Sequence, residues 1–113
     1  MYQVLSEVNK TAGVTGSMLV GYDGIVIAAD LDTRFETDTI GALAASITSN
    51  IQKSLERLES APLTQVTIEA DDGKLFFTDA GIGILALMTE RDVNIGLIRL
   101  EIKNAIRQLK MTG

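Results

Sequence analysis

The chain has 113 residues, of which 46% are hydrophobic and only 4% aromatic, so its core must be built mainly from Ile, Leu, Val, Ala and Met. That length suits one domain, spanning 1–113, with one core. The net charge of −5 argues against nonspecific nucleic-acid binding, which depends on Lys and Arg neutralising phosphates. The absence of Cys removes disulfides, thiol nucleophiles and thiolate metal sites, and the absence of His removes the commonest general base and transition-metal ligand. Met1 to Lys10 has no basic segment leading into an apolar one, so no signal peptide is expected. The longest apolar run, Ile82 to Met88, is too short for membrane insertion. A cytoplasmic protein is the expectation.

Tyr2 to Lys10 reads as a short helix with Val4, Leu5 and Val8 on one side, ended by Thr11-Ala12-Gly13. Ser17 to Tyr22 and Ile25 to Ala29 are predicted strands joined at Asp23-Gly24, a strong hairpin signal. Asp30 to Thr37 is a polar connector, and Thr37 or Asp38 is the expected cap of the long helix that follows.

That helix, from about Asp38 to Glu59, carries an aliphatic stripe of Ile40, Leu43, Ala44, Ile47, Ile51, Leu55 and Leu58 at spacings of three and four. The stripe is expected to pack within the domain. Beside it lie Gly41, Ala45, Thr48, Ser49 and Gln52, small or neutral residues that would let a second surface approach closely. The alternative is that they merely fill a solvated flank. The outer face carries Ser46, Asn50, Lys53 and Arg57, either a partner surface or simply a solvated one.

Pro62 helps stop the helix. Gln65 to Ala70 then alternates, with Val66, Ile68 and Ala70 one way and Gln65, Thr67 and Glu69 the other, as expected of a half-exposed edge strand. Its middle has no charge to discourage pairing with another chain, so the edge is a candidate for joining a second copy. Asp72-Gly73 turns the chain into Leu75 to Asp79, and Ala80-Gly81 leads into Ile82 to Thr89. This last strand is apolar on both faces and should be central, with helices on each side. Asn94 to Lys110 is the closing helix, with Ile95, Ile98, Ile102, Ala105, Ile106 and Leu109 inward. The order helix, two strands, helix, three strands, helix predicts an α+β domain in which helices cover both faces of one five-stranded antiparallel sheet.

Other patterns weigh less. Arg99, Lys103, Arg107 and Lys110 form a basic stripe that could meet an acidic partner or an anionic membrane, although a solvated helix end is the plainer reading and the overall acidity opposes a membrane role. The carboxylates Asp30, Asp32, Glu36 and Asp38 fail as a calcium loop. Counting from Asp30, the fifth residue is Arg34, the sixth is Phe35 rather than Gly, and the twelfth is Gly41 rather than Glu. Gly81-Ile82-Gly83 lacks the spacing of a dinucleotide fingerprint, so no cofactor is expected.

Several segments together resemble the Roadblock/dynein light chain family. They are the hairpin Gly16-Ser17-Met18-Leu19-Val20-Gly21-Tyr22-Asp23-Gly24-Ile25-Val26-Ile27, the Gly-Ala-Leu-Ala-Ala run at Gly41 to Ala45, the meander from Gln65 to Thr89, and the closing helix. The resemblance covers essentially the whole chain. It implies strand order 2-1-5-4-3, with the long helix on one face and the two terminal helices on the other, a profilin-like layered sandwich. It also implies a homodimer joined through the third strand and the long helix. The interface expected here is Gly41, Ala45, Thr48, Ser49, Gln52, Gln65, Thr67 and Glu69. The implied activity is noncatalytic: an adaptor or regulator that binds a Ras-like small GTPase through Ser46, Asn50, Lys53 and Arg57, with or without an effect on GTP hydrolysis. Arg34 and Arg91 are the only loop arginines available for a catalytic finger. Two alternatives use the same fold. One is a structural light chain or assembly scaffold linking cargo or cytoskeletal and motility proteins. The other is a small-molecule sensor, which needs a cavity with polar anchors that the sequence does not reveal.

Overall fold

The computed structural model describes residues 1–32, 35–60 and 62–112. Arg34, one of the two loop arginines considered above, lies outside them. The elements in chain order are α1 (Tyr2–Val8), β1 (Val14–Val20), β2 (Val26–Asp30), α2 (Thr37–Arg57), β3 (Gln65–Ala70), β4 (Gly73–Asp79), β5 (Ile84–Thr89) and α3 (Ile95–Thr112). The strands form one antiparallel sheet in the order β2-β1-β5-β4-β3. This is the expected α+β architecture. No helix among the described residues is long and apolar enough to cross a membrane.

The sheet is the middle of three layers. On one side α1 and α3 enclose a core of Val4, Leu5, Leu19, Phe76, Leu85, Leu87, Ile98, Ile102 and Leu109. On the other, α2 covers a smaller cluster of Met18, Val20, Ala44, Phe77, Ile84 and Ala86. Strand alternation explains the division: the neighbours Phe76 and Phe77 point to opposite faces and are 0% and 1% exposed. Each contributes roughly 1.5–3 kcal/mol by leaving water. All six residues of β5 are buried, as expected of the central strand. Ser17, buried on β1, donates its hydroxyl to the Leu5 carbonyl at 3.3 Å and ties α1 to the sheet.

Some boundaries differ from expectation. β1 begins at Val14, because Val14 already pairs with Thr89 of β5 before an irregularity ahead of Gly16. β5 begins at Ile84, because 80–83 form a turn in which the Ala80 amide donates to the Gly83 carbonyl at 2.8 Å. Neither Thr37 nor Asp38 caps α2. Glu36 holds the cap position without a side-chain hydrogen bond to the helix amides, and Thr39 instead donates to the Glu36 carboxylate at 3.2 Å.

At its other end α2 stops without help from glycine. Leu58 is the C-cap, Glu59 takes φ +53°, and the Ser60 amide donates to the Leu55 carbonyl at 2.9 Å. That is the six-to-one bond of a Schellman ending, with glutamate where glycine is usual. A side chain in the left-handed region costs about 1 kcal/mol. Glu59→Gly is therefore expected to raise stability by about that amount, read as a higher denaturant midpoint at unchanged slope.

Candidate interaction surface

The seating of α2 decides what the molecule displays. Gly24, at φ +89°, turns the β1–β2 hairpin, and Gly41 sits directly over it. A methyl group at Gly41 would come 2.9 Å from the Gly24 carbonyl oxygen and 3.1 Å from a Val26 methyl. Only a residue without Cβ fits this approach. Ala44 is fully buried and Ala45 packs partly against the same core. Thr48 is half-buried, with its hydroxyl donating to the Ala44 carbonyl at 2.7 Å. Gln52 accepts the Leu63 amide on its side-chain oxygen at 2.8 Å, fastening the lead-in of β3 to the helix.

This corrects the expected division of the helix. Gly41 is buried against the hairpin, Ala45 packs partly on the core and Gln52 bonds the Leu63 amide, whereas Thr48 is half-buried with its hydroxyl on its own helix and Ser49 is exposed. The buried Gly41 is not available to a second copy. The physical reason is that a helix approaches a sheet most closely where its side chains are smallest, so α2 rolls onto Gly41, Ala44 and Thr48. Those three lie within about 60° of one another around the helix axis. The roll turns part of the aliphatic stripe outward. Leu43 is 51% exposed, and Leu58, just past the last turn, is 76% exposed.

Ser46, Asn50, Lys53 and Arg57 are all exposed and lie together within an arc of about 60°. Neither Lys53 nor Arg57 has an ion-pair partner among the described residues. Arg91, the second loop arginine, is exposed and accepts a hydrogen bond from Lys74 on its backbone oxygen.

The sheet ends in two edges of different character. The β1–β2 pairing shifts register at Leu19/Val20, and the Asn9 side-chain amide donates to the Asp30 carbonyl of β2 at 2.9 Å. β3 pairs with β4 in unbroken register from Gln65↔Thr78 to Ala70↔Gly73. Thr67 and Glu69 are exposed, while Gln65 is half-buried and shares a long 3.5 Å contact with the Thr78 hydroxyl. Because α2 lies chiefly over β2, β1 and β5, Val66, Ile68 and Leu75 are only half-covered on the α2 face of this outer pair.

Between the C-terminal half of α2 and the sheet end is a cavity of about 260 Å³, lined in part by Tyr22, Thr48, Gln52, Phe77 and Asp79. Tyr22 donates its hydroxyl to Asp79 Oδ1 at 2.6 Å, and the Gly81 amide donates to the same oxygen at 2.9 Å. Partial withdrawal from water, then the hydrogen bond and negative charge of Asp79, push the Tyr22 phenol up to about 12, against a smaller opposing effect of the Gly83 backbone. Sequence reasoning missed this pair. The partners are 57 residues apart and meet only once β1, β5 and β4 lie side by side, so no local motif announces them.

This architecture is that of a Roadblock domain. The Roadblock/LC7 domain family matches residues 1–89. The chain is 40% identical over 108 residues to the uncharacterized protein MJ1340 of Methanocaldococcus jannaschii, covering 96% of this chain and 95% of that one. Among solved structures, a Roadblock/LC7 domain from Streptomyces avermitilis superposes with a TM-score of 0.91 at 23% identity, covering 99% of this chain and 96% of that chain. Myxococcus xanthus MglB superposes with a TM-score of 0.92 at 20% identity, covering 98% and 92%. The chain belongs to the Roadblock/LC7 family.

The Tyr22 proton is held more tightly in the folded chain than in the unfolded one. Its contribution to stability is therefore complete below the ordinary phenol value of about 10 and is lost as pH climbs from there towards 12. A tyrosinate absorbance titration is expected to show a late phase that disappears in Tyr22→Phe and moves to lower pH in Asp79→Asn.

Proposed function

We propose that this protein is a noncatalytic homodimeric adaptor that binds a Ras-like small GTPase. The observation carrying the reading is the coincidence, on one face, of an open β3 edge, half-covered Val66, Ile68 and Leu75, and the outward-turned Leu43 of α2. A second copy supplies what that face lacks. Antiparallel pairing of two β3 edges continues the sheet across a twofold axis normal to it. Both α2 helices then fall on the same side. Gln65, Thr67 and Glu69 belong to this interface, with Ser49 at its margin and Leu43 added, while Gly41, Ala45, Thr48 and Gln52 support it from beneath.

Membership in the Roadblock/LC7 family supports the adaptor role, and the implied GTPase partner comes from the resemblance already described. The duplicated outer faces of α2 would present Ser46, Asn50, Lys53 and Arg57 twice, with the cations in no ion pair among the described residues. The mechanism is preferential binding of one nucleotide state, which shifts the populations of the GTPase switch.

Two measurements test this. Light scattering at micromolar concentration is expected to give a dimer mass, and Leu43→Glu combined with Ile68→Lys is expected to give a monomer; a wild-type monomer would refute the assembly. Lys53→Glu with Arg57→Glu is expected to weaken GTPase binding about tenfold in a calorimetric titration while the dimer persists. Unchanged affinity would remove these residues from the partner site.

A further inference from the structure

We propose that the cleft between α2 and the Tyr22–Asp79 end of the sheet is a binding site for a guanidinium or primary ammonium carried on an apolar stem. The cleft is lined by residues of one protomer, borders the proposed dimer interface at Ser49, and does not depend on the GTPase reading. Its volume of about 260 Å³ lies just below the ~300–1,000 Å³ of drug-sized pockets, which suits a ligand the size of one side chain.

The polar inventory of the walls selects the ligand's charge. Both protein donors to Asp79, the Tyr22 hydroxyl and the Gly81 amide, fall on Oδ1. Oδ2 receives no hydrogen bond and the carboxylate no cation among the described residues. The Lys110 ammonium passes the Gly81 turn without reaching Asp79. Thr48 spends its only proton on the Ala44 carbonyl, so it meets the cleft with lone pairs alone. Among the described residues Asp79 is the cleft's one carboxylate, no Lys or Arg lines it, and its other polar groups are neutral. An anion would meet the Asp79 charge with only the neutral hydroxyls of Ser49 and Thr64 and the Gln52 amide to offset it. A metal ion would find one carboxylate, and no group of three or more acidic side chains placed to hold a metal exists among the described residues.

The floor selects the rest of the ligand. Phe77 and Ile84 are 1% and 3% exposed, and Leu63 closes one side. An alkyl stem can lie on this floor while its cationic end reaches Asp79 Oδ2. A guanidinium suits the site best, because its planar fork can donate in parallel to the carboxylate and keeps further hydrogens for neutral acceptors. Tyr22 and Gly81 hold the carboxylate in place without neutralising it, so little ordering remains for the ligand to impose.

The same chemistry can come from a free amine or from an arginine side chain of a partner protein, and one experiment separates them. Uniformly ¹⁵N-labelled protein is titrated with agmatine, with a short Gly/Ser peptide carrying one arginine, and with the same peptide carrying citrulline, following the Gly81 amide and the Gln52 side-chain amide. Saturable shifts are expected with the cations and none with citrulline, which keeps shape and loses charge. Tighter binding of agmatine than of the arginine peptide marks a small-molecule site; the reverse marks a partner's side chain. Asp79→Asn is expected to weaken binding about tenfold and Tyr22→Phe less, since the carboxylate then remains but is held by one donor fewer. Citrulline binding as well as arginine, or no saturable shift with any cation, overturns the proposal on the wild-type protein alone, whatever the variants do.

Discussion

Everything displayed on the α2 side of the molecule follows from one close contact, the seating of Gly41 over the carbonyl of Gly24. Because neither backbone carries a side chain at that point, the helix can roll until its small residues face the sheet. Ala44 then fills the core, Thr48 turns its hydroxyl back onto its own helix, and Gln52 reaches the lead-in of β3. The same roll carries Leu43 outward and leaves a cleft where small and polar residues, rather than large aliphatic ones, meet Phe77 and Ile84. A larger residue at position 41 would have to lift the helix or shift the hairpin, and either would rearrange the outward face of α2 and the cleft together.

Much of the architecture was legible from the residues. Asp23-Gly24 and Asp72-Gly73 marked two hairpins, and the doubly apolar run now assigned to β5 marked the central strand, because only a strand covered on both faces can be apolar on both. The alternation of β3 likewise announced an edge. What the residues did not disclose was the rotation of α2. Hydrophobic periodicity locates where apolar side chains cluster, but close packing of a helix on a sheet is governed by where side chains are absent. Leu43 obeys the aliphatic period yet is half exposed, while Gly41, counted with the free flank, is buried. Tyr22 and Asp79 were invisible for a different reason. Each sits beside a turn and is explained by it, and their bond exists only through the order of the strands.

The three-layer arrangement separates two tasks. The larger core, sealed by α1 and α3 with Phe76, Leu85 and Leu87, needs no further cover. The smaller core beneath α2 is completed only in part, and its margin runs through Val66, Ile68 and Leu75 to the open β3 edge. The proposed self-association would use this unfinished margin beside the β3 edge, away from the sealed core.

The seating of Gly41 is tested most directly by equilibrium denaturation of Gly41→Val beside Ser46→Val, which places the same side chain on the exposed face of the same helix. Overpacking beneath α2 is expected to cost Gly41→Val about 1–3 kcal/mol, with Ser46→Val within about 0.5 kcal/mol of the parent. Equal stability of the two variants would mean that the helix does not rest on that contact, and the account of its exposed and buried faces would fail with it.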